Sequence, residues 1–281
     1  MIKALIYATV VGLAAGTVSG QQPFRTSTEA VRVDVLVTRG RTLVRGLTAA
    51  DFEIRDRGVV QEIQQIEVEQ LPLNVLLVLD TSSSVAGPRL HSLLQAGRQL
   101  VSGLREPDRV ALLSFATRVR LVSELTRDFR RVIAGFDQFT ANGFTSLRDA
   151  AFSGLALRDR DPGRTLMVLF SDGADTSSWL PAAKVIDAAR RTDVIVYGVG
   201  IRESVRFGSR TYAVAASGEF VEDLAATTGG RVMLAGNNAD LARTFVTLLS
   251  EFRNRYVLSY EPRGVTAPGW HPLDVRLKGK A

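Results

Sequence analysis

The sequence predicts an α/β fold: a doubly wound, mostly parallel sheet with helices on both faces, plus a small β module formed by the two flanks. Three observations predict it. Between residues 73 and 252, short aliphatic runs alternate with segments of helical period, the pattern left by parallel strands and their crossover helices. On either side of that region apolar and polar residues alternate instead, as in half-buried strands. A composition of 46% hydrophobic and 23% charged residues over 281 positions supplies apolar material for one large core or two unequal ones.

Taken in order, the central strands are expected at residues 75–79, 110–115, 166–170, 194–200 and 231–234. Helices are expected at 88–104, 128–139, 146–157, 181–191, 219–227 and 239–252. The first helix shows the reasoning: Leu90, Leu93, Leu94, Val101 and Leu104 fall at the i, i+3, i+4 spacing of a core-facing stripe. Residues 119–125 follow a strand too closely for a crossover and fit an antiparallel edge hairpin. In the N-terminal flank Val31, Val33, Val35 and Val37 alternate with mostly polar residues. Residues 52–55 and 59–68 bracket the hairpin signal Asp56, Arg57, Gly58. Two more strands, 256–260 and 273–277, surround a Pro/Gly-rich turn in the C-terminal flank. The expected organisation is an export signal at 1–20, a β segment at 21–72, the α/β domain at 73–252 inserted within the flanks, and a β segment at 253–281 that packs with the first.

The signal reading rests on Lys3, an apolar run from Ala4 to Ala15 and small residues up to Gly20. That run is well short of the roughly 20 residues a membrane-spanning helix needs, so the protein is expected to be exported, periplasmic or secreted, with no membrane span after cleavage. An uncleaved N-terminal anchor is the competing reading. There is no cysteine, so no disulfide framework is available, and with two histidines a zinc site of the usual nitrogen and sulfur type lacks ligands. The formal charge of +6, or +5 once Lys3 leaves with the signal, comes from arginines scattered among acids, which reads as a solvated surface and not a nucleic-acid footprint.

One stretch demands a chemical explanation. In LLVLDTSSSVAGPRL an aliphatic strand stops at Asp80 and is followed by Thr81, Ser82, Ser83 and Ser84. Ligands of doubly wound sheets bind at the carboxyl ends of strands. Thr145 in NGFTSLRDA, just before a helix, and Asp172 in LMVLFSDGADTS, just after a strand, would join Asp80, Ser82 and Ser84 at one edge. Two carboxylates and three hydroxyls are oxygen donors for a hard divalent cation such as magnesium, with neutral hydroxyls leaving its charge unsaturated. Taken singly, each piece has a plainer reading: Asp80, its serines and Thr145 as helix caps, and Asp172-Gly173 as a turn.

Asp80-x-Ser82-x-Ser84, the threonine of GFTSLRDA and the aspartate of FSDG resemble the metal-ion-dependent adhesion site of von Willebrand factor type A domains, with no departure from the pattern. The resemblance covers about residues 73–252, including VIVYGVGI and LAATTGGR. The flanking segments VRVDVLVTRGR, GLTAADFEIRDRG and YVLSYEP are similar to an exported bacterial family of this type, the acidobacterial one. Relatives there often run further than Ala281, which implies a clipped last strand. The resemblance implies bound magnesium or manganese, with calcium less suited. It further implies a non-enzymatic adhesion or scaffold module that recruits an Asp or Glu from an unidentified protein partner. A metal that only staples loops is the alternative. A hydrolase is the lesser rival, because His91 lies beside the apolar stripe of the first helix and neither a Gly-x-Ser-x-Gly elbow nor a phosphate loop is present.

Overall fold

The computed structural model describes all residues except 1, 10–29, 41, 69–71, 158–163, 172–174, 208–209, 216–217, 266–271 and 280–281. The chain divides into two compact units, one made of residues 1–70 and 253–281 and the other of residues 71–252.

The first unit contains β1 (Ile2–Thr9), β2 (Val31–Arg39), β3 (Thr42–Leu43), β4 (Phe52–Asp56), β5 (Val59–Gln61) and β6 (Ile63–Val68). The second begins with β7 (Leu73–Asp80), α1 (Pro88–Ser102), β8 (Arg109–Phe115), β9 (Val119–Thr126), α2 (Phe129–Gly135), α3 (Leu147–Ala156) and β10 (Arg164–Phe170). It continues through α4 (Ala182–Ala189), β11 (Ile195–Phe207), β12 (Arg210–Ala215), α5 (Glu219–Thr228), β13 (Val232–Ala235) and α6 (Leu241–Arg253). Two further strands, β14 (Tyr256–Tyr260) and β15 (Leu273–Leu277), belong to the first unit.

In the second unit the sheet order is β12-β11-β10-β7-β8-β9, with β13 also paired to β11. Strands β10, β7, β8, β11 and β13 run parallel to their neighbours, and β9 and β12 are antiparallel additions. Every residue of β7 and β10 is buried. Alternate side chains of β7 therefore serve two cores. Val75, Leu77 and Leu79 pack with α1, α2 and α6, whereas Leu76 and Val78 pack with α3, α4 and α5. This is the doubly wound fold that the sequence predicts.

The first unit stacks two sheets. The larger runs β1-β2-β14-β6 with β3 against β2, and the smaller runs β15-β4-β5. Val33, Val35, Val37, Tyr256, Leu258 and Tyr260 on the larger sheet face Phe52, Ile54 and Val275 on the smaller in one apolar cluster. Arg57 and Gly58 both take positive φ, +48° and +83°, giving the tight hairpin turn between β4 and β5.

Three elements differ from expectation. The strand expected at 59–68 changes sheets at Glu62: β5 pairs β4, whereas β6 pairs β14. Buried Gln61 holds the break, donating to the carbonyl of Arg263 at 3.0 Å and accepting from its N–H at 2.8 Å. The helix expected at 128–139 is α-helical only to Gly135 and tightens to a 3₁₀ turn at Phe136–Gln138. The strand expected at 194–200 runs on to Phe207 and folds back as β12, from Arg202↔Ala215 to Phe207↔Arg210. Gly208 and Ser209 stand at the two-residue spacing that marks a hairpin. Within the expected export signal, residues Ile2–Thr9 pair with β2 as a strand.

Candidate metal centre

Strand β7 lies between β8 and β10, so the chain leaves it in one direction and later returns on the other side. At such a reversal the connecting loops diverge and leave a crevice beyond the carboxyl ends. Asp80, the last residue of β7, sits there with 0% of its surface exposed. Its Oδ1 accepts the Ser82 N–H at 2.8 Å and its Oδ2 accepts the Ser171 hydroxyl at 3.0 Å. The first of these is the turn an aspartate makes with the N–H two residues on. A helix-capping role for Asp80 does not hold, because α1 begins at Pro88 after Gly87.

Beyond Asp80 the chain makes one 3₁₀ turn, Ser83–Val85, which brings the alternate hydroxyls of Ser82 and Ser84 to 2.9 Å from each other. Ser82 is buried and Ser84 exposed, so the pair runs from the floor of the site to its mouth. Thr145 is also buried, and its backbone is pinned: its N–H donates to the Thr176 hydroxyl at 2.9 Å, and its carbonyl accepts the N–H groups of Thr176 and Ser177 at 2.9 and 3.1 Å. Its own hydroxyl has no hydrogen-bond partner among the described residues. The helix cap before α3 is Ser146, so Thr145 is not one. Asp172 lies outside the described residues, although its neighbour Ser171 bonds Asp80 directly.

The loops are tied into one frame. Asn142 N–H donates to the Thr81 carbonyl at 2.9 Å and Ser83 N–H to the Gly143 carbonyl at 3.1 Å, while Phe144 N–H donates to the Thr117 hydroxyl at 2.9 Å. Gly143 has φ +73°, and a Cβ there would lie 2.5 Å from the Thr117 hydroxyl, so both conformation and space require glycine. A second strap, residues 175–180, crosses the start of α3. Ser178 and Asp175 accept the first-turn N–H of Arg148 at 3.0 and 2.9 Å, and Asp149 in return accepts the N–H groups of Trp179 and Leu180 at 3.0 and 2.9 Å. Burial opposes charge on Asp175, but hydrogen bonds from the Arg148 and Ser178 side chains and from their backbone N–H groups outweigh it and hold this carboxyl below the usual carboxylate range. The same bond holds the Arg148 guanidinium above its ordinary value.

Sequence reasoning overlooked Ser171, Thr176, Asp175 and Ser178, which position the site from a single Ser/Asp/Thr-rich loop after β10. It also overlooked two exposed aromatics carried by these loops, Phe144 at 66% exposure and Trp179 at 91%. The donor set suits a small hard cation. Neighbouring ligands of an octahedral ion at about 2.0–2.1 Å stand about 2.9 Å apart, the separation of the Ser82 and Ser84 hydroxyls. Among the described residues no group of three or more His, Cys, Asp or Glu side chains is placed to hold a metal ion.

The sequence profile of the von Willebrand factor type A domain matches residues 74–244, more than half of the chain. The chain belongs to the von Willebrand factor type A family. Domains of this type typically serve as adhesion or protein-interaction modules. A curated relative, the uncharacterized protein sll0103 of Synechocystis sp., is 29% identical over 108 residues, which cover 37% of this chain and only 26% of that protein. Among solved structures, the vWF domain of the type V pili tip protein Mfa5 from Porphyromonas gingivalis superposes with a TM-score of 0.50 at 14% identity, covering 70% of this chain and 98% of that one. Proximal thread matrix protein 1 from the mussel byssus, in a form with a zinc-occupied MIDAS motif, gives 0.53 at 15% identity, covering 70% of this chain and 49% of that one. At these identities the likeness establishes the type A fold. In that fold His91 falls on an exposed position of α1, away from the buried face.

Proposed function

We propose that this type A domain is an exported, non-enzymatic binding module that holds a divalent cation and through it recruits an acidic side chain of a protein partner. Ser82, Ser84 and Thr145 would hold the ion with neutral hydroxyl oxygens, and Asp80 and Asp172 would stand behind it, directly or through water. The observation that carries the reading is the pair of hydroxyls 2.9 Å apart beside a buried carboxylate at the sheet's switch point. When bound, the cation supplies an electrophilic position that a partner Asp or Glu can occupy. The protein's own part is to keep that position rigid and open. Asp80 fixes the turn of the Ser82 loop, Gly143 locks it to the neighbouring loop, and the 175–180 strap anchors Thr145. Exposed Phe144 and Trp179 would give the partner apolar contact area around the charged centre.

Magnesium or manganese fits the small oxygen site best, and calcium, which prefers more ligands at longer distance, should support it less well. The zinc in the mussel protein's MIDAS makes zinc a third ion to test. Export is supported by Lys3 and the apolar run behind it, and by the pilus-tip setting named for Mfa5. Cleavage near Gly20 would remove β1 with the signal.

The test is capture from envelope extract by the full chain, with magnesium, with manganese and with chelator. Proteins retained only with metal, and lost with Asp80→Ala or Thr145→Ala, support the reading. A partner whose affinity is the same in chelator makes the metal a loop staple.

A further inference from the structure

Beside the metal loop lies a cavity of about 340 Å³ whose lining includes Thr81, Thr117, Arg118, Arg120, Gln138 and Asn142. Thr81 of the metal loop lines it. Thr81 sits between Asp80 and Ser82, and both its N–H and its hydroxyl donate to the Phe115 carbonyl, at 2.7 and 3.0 Å, while its carbonyl accepts the Asn142 N–H. One wall is the tip of the β8–β9 hairpin and the other is the segment after α2, so the cavity and the candidate metal position share one rigid frame.

The lining is cationic and carries no carboxylate. Arg118, in the bend just before β9, and Arg120, in β9, both line the cavity. Arg120 donates to the neutral Gln138 side-chain carbonyl at 2.5 Å, and neither guanidinium has a carboxylate partner among the described residues. Five other arginines of this unit have carboxylate partners: Arg98 with Asp137, Arg148 with Asp175, Arg190 with Asp187, Arg231 with Glu251 and Arg243 with Asp240. Two unneutralised guanidinium groups beside hydroxyl and amide groups make a receptor for an anion, because charge-assisted hydrogen bonds from arginine favour the planar, two-oxygen geometry of a carboxylate.

We propose that this cavity is a second acid subsite, so that the partner segment carries two carboxylates, one for the metal loop and one for Arg118 and Arg120. The proposal rests on the metal-dependent reading above and makes the domain a reader of paired acids. The cation confers dependence on metal, and the arginine pair selects among acidic segments by the spacing of the second acid. Because both guanidinium groups are exposed, the second contact adds specificity and salt sensitivity more than rigidity.

The experiment titrates the full chain in magnesium with synthetic capped peptides that carry one aspartate, or two aspartates at a short series of spacings, read by calorimetry at low and high salt. At the best spacing the second aspartate should tighten binding about tenfold, and replacing it with asparagine should remove that gain. Arg118→Ala combined with Arg120→Ala should abolish the gain while the metal-induced rise in melting temperature stays intact, since neither residue is in the metal loop. Charge reversal, Arg118→Glu with Arg120→Glu, should make the two-acid peptide the weaker binder. A gain that survives chelator but vanishes in the arginine variants keeps the acid subsite and removes the metal reading. Equal binding of one-acid and two-acid peptides at every spacing, or full gain in the arginine variants, overturns the subsite. Inorganic sulfate binding as tightly as the peptide would mark a site for free anions and overturn it as well.

Discussion

Asp80 and Asp56 each close a buried strand, β7 in one unit and β4 in the other, and each is almost sealed from solvent at 0 and 1% exposure. Their surroundings separate them. Asp56 accepts the hydroxyl of Tyr260 at 3.0 Å across the two sheets of the small unit, and burial together with this carboxylate pushes the Tyr260 hydroxyl well above its ordinary value of 10.0. Asp80 is bonded by a backbone N–H and a serine hydroxyl, and it opens onto further hydroxyls at Ser82, Ser84 and Thr145. Burial of an acid therefore does not mark a site by itself. What sets Asp80 apart is the surplus of small oxygen donors around it.

The comparison breaks most visibly under metal. If Asp80 backs a cation, saturating the full chain with magnesium or manganese at about 100 times the dissociation constant should add about 2.7 kcal/mol and raise the melting temperature by roughly 5 to 10 °C. Asp80→Ala should erase that rise, and an equal rise in the variant would remove Asp80 from the site. The second test inverts the roles. Tyr260→Phe removes the hydroxyl bond to the buried Asp56 carboxylate and should lower stability by about 1 to 3 kcal/mol in denaturant titration, with the metal-induced rise unchanged. The stability that the Tyr260 bond contributes is complete below pH 10 and declines above it, because the folded hydroxyl titrates higher than the unfolded one; the Phe variant should lack this alkaline decline.

A third variant, Gly143→Ala, forces a side chain into left-handed backbone beside Thr117. It should cost about 1 to 2 kcal/mol and also weaken the metal response, because the Ser83 bond moves with it. The smallest effect concerns the strap. The folded Asp175 carboxyl titrates below the unfolded one, so its contribution is present above the unfolded value near 3.9 and is lost as pH falls through the lower folded value. Melting curves between pH 5 and 2.5 should show a shallower acid loss for Asp175→Asn, whereas an unchanged slope would deny the strap its charge.

What the sequence made legible followed from local pattern. The short aliphatic runs of β7, β8 and β10, alternating with helical-period segments such as α1, specify a buried parallel sheet. Asp80, Ser82 and Ser84 were legible because they end such a run, and Thr145 because it precedes a helix. The strap was not legible. Asp175 and Ser178 satisfy the first N–H groups of a helix almost thirty residues earlier in the chain, and no local spacing announces a cap supplied from so far away. The break at Glu62 was hidden for a similar reason, since residues 59–68 read as one β run until the distant backbone of Arg263 takes the Gln61 side chain. The arginine cavity was invisible because scattered arginines look alike until their partners are known.

The pairing of Val68 with Tyr256 has a consequence for how the chain reaches this structure. Strands β6 and β14 form an antiparallel ladder, and everything between residues 69 and 255 is the loop that joins them. Closing so long a loop in an unfolded chain is entropically expensive, and the rate of such a closure falls with sequence separation. Folding of the inserted unit first would bring its two ends together and convert that search into a local zipper. The expected order is that the inserted unit folds first and the β6–β14 ladder closes last. Destabilising β7 should slow closure of β6 on β14 in refolding followed by hydrogen exchange, whereas a defect confined to β14 should leave early protection of β7 and β10 unchanged.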